Sequence, residues 1–153
     1  MTAARAVVAV ALVLASARAG ATLGEPVATV DAVLARLNGA RRVVQAQAAR
    51  FQVHVITLAD GSSIREYVAP SGIVFAVAWS TRLKPRLETL LGAQAPAYAA
   101  AASAAMAAPG VRHGVSLASG DLVVQANAHL NAHVGLAWLR SLVPEGVRID
   151  ELR

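Results

Sequence analysis

The 153-residue chain contains no cysteine. Disulfides, thiolate nucleophiles and iron–sulfur clusters are thereby excluded, as is a lipid-modified cysteine behind an export signal. Aromatic residues make up 4% and charged residues 15%, the latter below the usual share of roughly 25%. With so few stacking side chains and a formal net charge of only +5, the chain lacks the footprint of a nucleic-acid binder. Lysine is nearly missing as well, since 13 of the 14 basic residues are arginine. No glycine-rich phosphate loop of either standard spacing occurs.

Apolar residues are abundant at 56%, which argues against a disordered chain. The mean hydropathy of +0.53 would suggest a membrane protein if it were evenly spread. It is concentrated in the first twenty or so residues and in alanine, so a polytopic membrane protein is not expected.

Arg5, the uncharged run Ala6 to Ala15 and the small-residue stretch Ser16 to Ala21 follow the order of a cleavable export signal. Cleavage fits after Ala19 or after Ala21; the second is preferred because the chain turns polar at Thr22-Leu23-Gly24-Glu25-Pro26. A run of about ten residues is too short to span roughly 30 Å of hydrocarbon as a helix. Residues 1–21 are therefore expected to be a signal peptide and 22–153 a single exported domain, periplasmic or secreted, with no stable membrane anchor. Removing the leader takes away Arg5 and Arg18 and no acid, which lowers the net charge from +5 to +3.

Val30, Val33, Leu34 and Leu37 recur at helical spacing between Thr29 and Asn38-Gly39, predicting a short amphipathic helix. From Arg41 the apolar period becomes two, giving a strand region that ends at Leu58. The turn signals Asp60-Gly61 and Ser71-Gly72 then separate two further strands, Ser62 to Pro70 and Ile73 to Trp79. Two-residue loops at both turns would set Val55 opposite Glu66 and Glu66 opposite Val77. Phe51, Val53, Ile64, Val68, Phe75 and Trp79 would share that buried face, and His54, Arg65, Tyr67, Ala69, Ala76 and Ala78 the other.

Helices are expected from Pro85 to Leu91 and from about Ala97 to Ala108, the second alanine-rich and able to lie close against the alanine-bearing sheet face. Val115 to Leu117 and Leu122 to Gln125 suggest a second hairpin around Ser119-Gly120. Gly135 to Leu142 reads as a short helical stretch, and Val147 to Ile149 as an edge strand. The expected fold class is α+β: an antiparallel β-meander with a second hairpin and packed helices.

Candidate chemistry is sparse. His129 and His133 stand four apart, a spacing that on a helix would aim two imidazoles at one metal. Leu130 occupies the place of a zinc protease's glutamate, however, and Asn127, Asn131 and Gly135 make a poor helix. His113 or Asp121 could supply a third ligand, but loop histidines are the simpler reading, and no metal or cofactor is expected. Gly114-Val115-Ser116-Leu117-Ala118 approaches a nucleophile elbow yet lacks the second glycine and leads into a hairpin. Glu66, set among valines and isoleucine, would need a partner or a proton to be buried. The arginine groups Arg36, Arg41, Arg42, Arg50 and Arg82, Lys84, Arg86 read as a solvated basic rim.

The stretch Ile64-Arg65-Glu66-Tyr67-Val68-Ala69-Pro70-Ser71-Gly72-Ile73-Val74-Phe75-Ala76-Val77-Ala78-Trp79, followed by Leu87 to Gly92, resembles the signature of a family of short exported proteobacterial proteins, domain of unknown function 2844. Leu23-Gly24-Glu25-Pro26, Gly120-Asp121-Leu122-Val123-Val124 and Leu142-Val143-Pro144-Glu145-Gly146-Val147 fit the same pattern. The resemblance implies export and a shared fold, with no established activity. Arg65, Glu66 and Tyr67 match its motif. Together with His129 they are the binding candidates; no catalytic residue is assigned. The functional expectation is a non-enzymatic envelope or secreted protein binding a protein partner or an acidic envelope component. The alternative is a small hydrolase or small-ligand-binding protein using Glu66 with His54 or His129.

Overall fold

A computed structural model describes residues 23–27, 40–45, 50–107 and 114–152. The proposed leader and the helix expected between Thr29 and Leu37 lie outside these residues. The architecture is one seven-stranded antiparallel sheet in the order β1-β2-β3-β4-β7-β6-β5. Its strands are β1 (Ala40–Gln45), β2 (Gln52–Thr57), β3 (Ser63–Val68), β4 (Val74–Thr81), β5 (Gly114–Ser119), β6 (Leu122–His129) and β7 (Ala132–Leu139). Helices α1 (Leu87–Leu91) and α2 (Ala95–Ala107) cross between β4 and β5. The α+β meander with a second hairpin and an alanine-rich helix is therefore the observed fold.

Both meander turns are longer than two residues, and the register changes accordingly. At the first, the Leu58 amide donates to the Ser62 carbonyl at 2.8 Å, leaving Ala59-Asp60-Gly61 as a three-residue loop with Gly61 at φ +81°. The Asp60 carboxylate accepts from the Ser62 amide and hydroxyl, both at 2.9 Å, which fixes that loop. His54, not Val55, consequently stands opposite Glu66. One residue of slip turns a strand over, so Phe51, Val53 and Val55 join the face of Tyr67 rather than that of Glu66. At the second turn the Ala69 amide donates to the Ile73 carbonyl, again spanning three residues, Pro70-Ser71-Gly72. A bulge between Tyr67 and Val68 and β4 absorbs the extra residue, so Glu66 still meets Val77 as expected. The bulge sends Phe75 to the same side as Ala76, away from Val77 and Trp79.

Both sheet faces are covered, each by a different part of the chain. One face packs Ile56, Ile64, Val77, Trp79, Val124 and Ala137 beneath Leu90 and Leu91 of α1, with Leu23 completing the cluster. Leu23 is only 1% exposed, so the stretch expected to be a polar turn begins with a core residue. Its neighbours run beside β4: the Gly24 amide donates to the Val74 carbonyl at 2.8 Å and Val74 returns a bond to Glu25 at 3.0 Å.

The opposite face carries Tyr67, Phe75, Ala76, Val123, Leu136 and Trp138 and is covered by the C-terminal tail. Leu142, Val143, Val147 and Ile149 pack on it, and Leu152 is fully buried. The tail thus takes the alanine-bearing face that α2 was expected to cover; α2 instead lies over β5 and β6 on the Trp79 side. The segment Val147 to Ile149 is not an edge strand, and the chain ends in a 3₁₀ turn, Ile149–Leu152.

The stretch expected to be helical, Gly135 to Leu142, is mostly strand β7, with a 3₁₀ turn at Arg140–Leu142. Leu136-Ala137-Trp138-Leu139 is buried throughout because β7 is central and both its faces are packed; such an apolar run has no period to separate strand from helix. Asp121 fixes the exit from β7, accepting from the Ser141 amide at 2.8 Å and hydroxyl at 2.6 Å.

Candidate functional site

The tail covers only part of its sheet face. Strand alternation and the register place two polar rows on the part it leaves open. The first runs Arg65, Ala78, Leu136, Gln125, Ser116 across strands β3, β4, β7, β6 and β5. The second, one pleat further along, runs Ser63, Ser80, Val134, Asn127, Gly114. These residues line a groove of about 670 Å³, within the size range of small-ligand sites. Four inter-strand steps make it about 19 Å long across the sheet.

Arg65 is the only charged side chain among the described residues that line the groove. It is exposed, near the β3 end. The floor is Ala78 and Leu136, and the walls offer the hydroxyls of Ser63, Ser80 and Ser116 and the amides of Gln125 and Asn127. The arrangement can bind an anionic group through a guanidinium fork and present hydroxyl and amide partners on either side of the apolar β7 residues Val134 and Leu136. Among the described residues it holds no nucleophile–base pair: Ser116, the serine of the elbow-like motif, sits mid-strand opposite Gln125 with no helix after it.

The four candidate residues do not form one site. Tyr67 is buried, and its hydroxyl donates to the Leu152 carbonyl at 2.8 Å. Burial pushes its phenol above the usual tyrosine range, with the Arg65 charge acting in the opposite sense. Its ring meets Phe51 edge-on at 5.8 Å between centroids. Tyr67 therefore fastens the tail end that forms one wall of the groove and is a positioning residue. Glu66 lies on the other face, 2% exposed, opposite His54 at 3%. Cross-strand neighbours of this kind have Cβ atoms about 5 Å apart, so the carboxyl and imidazole are within reach of each other.

His129 is exposed at the end of β6, beside the two-residue turn Leu130-Asn131. It pairs with Ala132 while His133 pairs with Ala128, so the two histidines alternate to opposite faces and do not converge on a metal. The Asp121 carboxylate is held by Ser141, and no group of three potential metal-ligating residues occurs among the described residues.

These rows do not stand out in the sequence pattern, because β6 runs past Gln125 to His129 and β7 is a strand where its apolar run has the look of a helix. The signal was there in the alternation Ser63-x-Arg65 and Gln125-x-Asn127, in which every second residue is polar.

A family model described as "Protein of unknown function (DUF2844)" matches residues 19–152. The chain belongs to this family. The match spans the strands that build the groove, where Arg65, Glu66 and Tyr67 divide their side chains between two faces. Comparisons with curated proteins and with solved structures return no match. No helix among the described residues is long and apolar enough to cross a membrane.

Proposed function

We propose that the protein is exported, loses its leader at Ala19 or Ala21, and works without catalysis in the periplasm or the surrounding medium. There it binds an acidic, saccharide-bearing component of the cell envelope in the groove beside Arg65. The observation that carries this reading is the part of the face the tail does not cover, where Arg65 and Ser63 on β3 and Gln125, Asn127 and Ser116 on β6 and β5 line one groove. Strands β3 and β4 on one side of β7, and β6 and β5 on the other, carry those groups, while β7 contributes the apolar Leu136 and Val134 between them, so an extended ligand would meet polar partners at both ends of the groove. The order of charged, apolar and small residues in positions 5–21 supports export.

The experiment is a calorimetric titration of the purified protein with tetragalacturonate, an oligosaccharide carrying a carboxylate on each unit, and with maltotetraose as the neutral control. Saturable binding of the acidic sugar alone, lost in Arg65→Ala, is the expected result.

The hydrolase reading gains one support, since the register brings His54 opposite Glu66. Both residues are at most 3% exposed, however, and neither lines the Arg65 groove. A substrate would have no approach to them, and a structural role in the core is the better account.

A further inference from the structure

The second groove lies on the other side of the sheet, between α2 and strands β5, β6 and β7, with a volume of about 500 Å³. It shares Trp79, Val115 and Ala126 with the Arg65 groove but has α2 as its outer wall. Its inner part is made by Trp79, Leu87 and Tyr98, and its length by Ala102, Ala105 and Met106 of α2. Tyr98 is half-buried, and burial, followed by the Glu88 charge, pushes its phenol above the usual range. From Tyr98 to Met106 the helix advances about 12 Å, so the space is a trench running along α2, apolar on its helix side.

Lys84 is the only permanently charged side chain among the described lining residues, and His133 also lines the trench. A local contact sets Lys84 there: the Thr81 hydroxyl donates to the Leu83 carbonyl at 2.7 Å and lies 3.4 Å from that of His133. The loop carrying Lys84 is thus tied to β7 beside His133. Met106 at the other side is 82% exposed, a flexible apolar side chain left in solvent at the trench margin.

We propose that this trench binds a single-chain fatty acid of medium length, the alkyl chain lying between α2 and the Trp79 floor and the carboxylate meeting Lys84. Charge complementarity selects the carboxylate, because a trench whose described lining residues include one cation, Lys84, and no acid favours an amphiphile of opposite sign. The narrow course along alanine methyls selects a linear chain over a fused-ring ligand.

The test is titration of the full chain with dodecanoate by calorimetry, alongside a dodecanoate brominated on its terminal carbon that quenches nearby indoles. Saturable one-to-one binding well below the micellar concentration is expected, with quenching of tryptophan emission. Lys84→Glu should weaken binding about five-fold, the equivalent of roughly 1 kcal/mol for an exposed ion pair. Ala102→Phe should fill the trench and abolish binding; Ala105→Leu serves the same purpose should the first variant lose its cooperative unfolding transition. Dodecanol should bind more weakly than dodecanoate. Non-saturable quenching that follows micelle formation, undiminished binding in both filled variants, or equal affinity for acid and alcohol would overturn the proposal. Arg65→Ala should leave dodecanoate binding intact, which separates this site from the groove on the opposite face.

Discussion

Gly135 stands directly across the β4–β7 ladder from Trp79, and a Cβ added to it would overlap the indole at Cζ2 and lie 2.8 Å from the Gln125 carbonyl oxygen. The missing side chain is what lets a large aromatic lie flat in the middle of the sheet. Strand interiors ordinarily disfavour glycine, and close approach of a neighbour is the reason one is kept here. Gly135→Ala should therefore destabilise by about 3 kcal/mol, the upper end for overpacking a core. Urea unfolding of the single variant and of Gly135→Ala with Trp79→Leu checks this: the second substitution should recover part of the loss, because the two residues are in contact.

Tyr67→Phe should cost about 1 kcal/mol through loss of the hydrogen bond to Leu152. It should also change the alkaline limb of the stability profile. The folded phenol titrates above its unfolded value of about 10, so its contribution is complete below that pH and is lost as pH rises through the folded value. Tyr98 is shifted the same way. The variant should lose only part of the alkaline dependence, measured by unfolding midpoints between neutral pH and pH 11.

Asp60 behaves in the opposite sense. Hydrogen bonds from the Ser62 amide and hydroxyl hold its carboxyl below the usual range. Its contribution is therefore present above the unfolded value of about 3.9 and declines as pH falls through the lower folded value. Asp60→Ala should flatten the acid limb below about pH 4. Thermal unfolding at pH 3 and pH 7 distinguishes the two chains, with the difference between them larger at pH 7.

Arg65 and Glu66, adjacent in sequence, should separate cleanly in their effects. Glu66→Gln should reduce stability by about 1–3 kcal/mol, the cost of disturbing a buried hydrogen-bonding group, and leave groove binding unchanged. Arg65→Ala, at an exposed position, should change stability by no more than about 0.5 kcal/mol. Urea unfolding and sugar titration of the same two variants provide both readouts.

Strands β3 and β4, the β5–β6 hairpin and the α+β class are legible in the alternation and the turn residues, whereas the single strand region expected from Arg41 to Leu58 is two strands, β1 and β2. Register is not legible, because Asp60-Gly61 is compatible with both a two-residue and a three-residue loop, and the choice rests on the Asp60–Ser62 hydrogen bonds. The nature of β7 was hidden for a different reason: a central strand packed on both faces has no polar alternation to reveal it. The tail was misjudged because Val147 and Ile149 have the spacing of a strand, while what they do is cover Phe75 and Trp138. The sequence alone leaves the burial of Glu66 open; the fold buries it, and its partner across the ladder follows from the true register.

The proposed binding role is tested most directly by titrating tetragalacturonate into the purified protein and into Arg65→Ala at low and high salt. Saturable binding that weakens with salt, is lost in the variant and is absent with maltotetraose is the expected result. Equal binding by the two chains, or no binding of the acidic sugar at low salt, would contradict the assignment of the Arg65 groove.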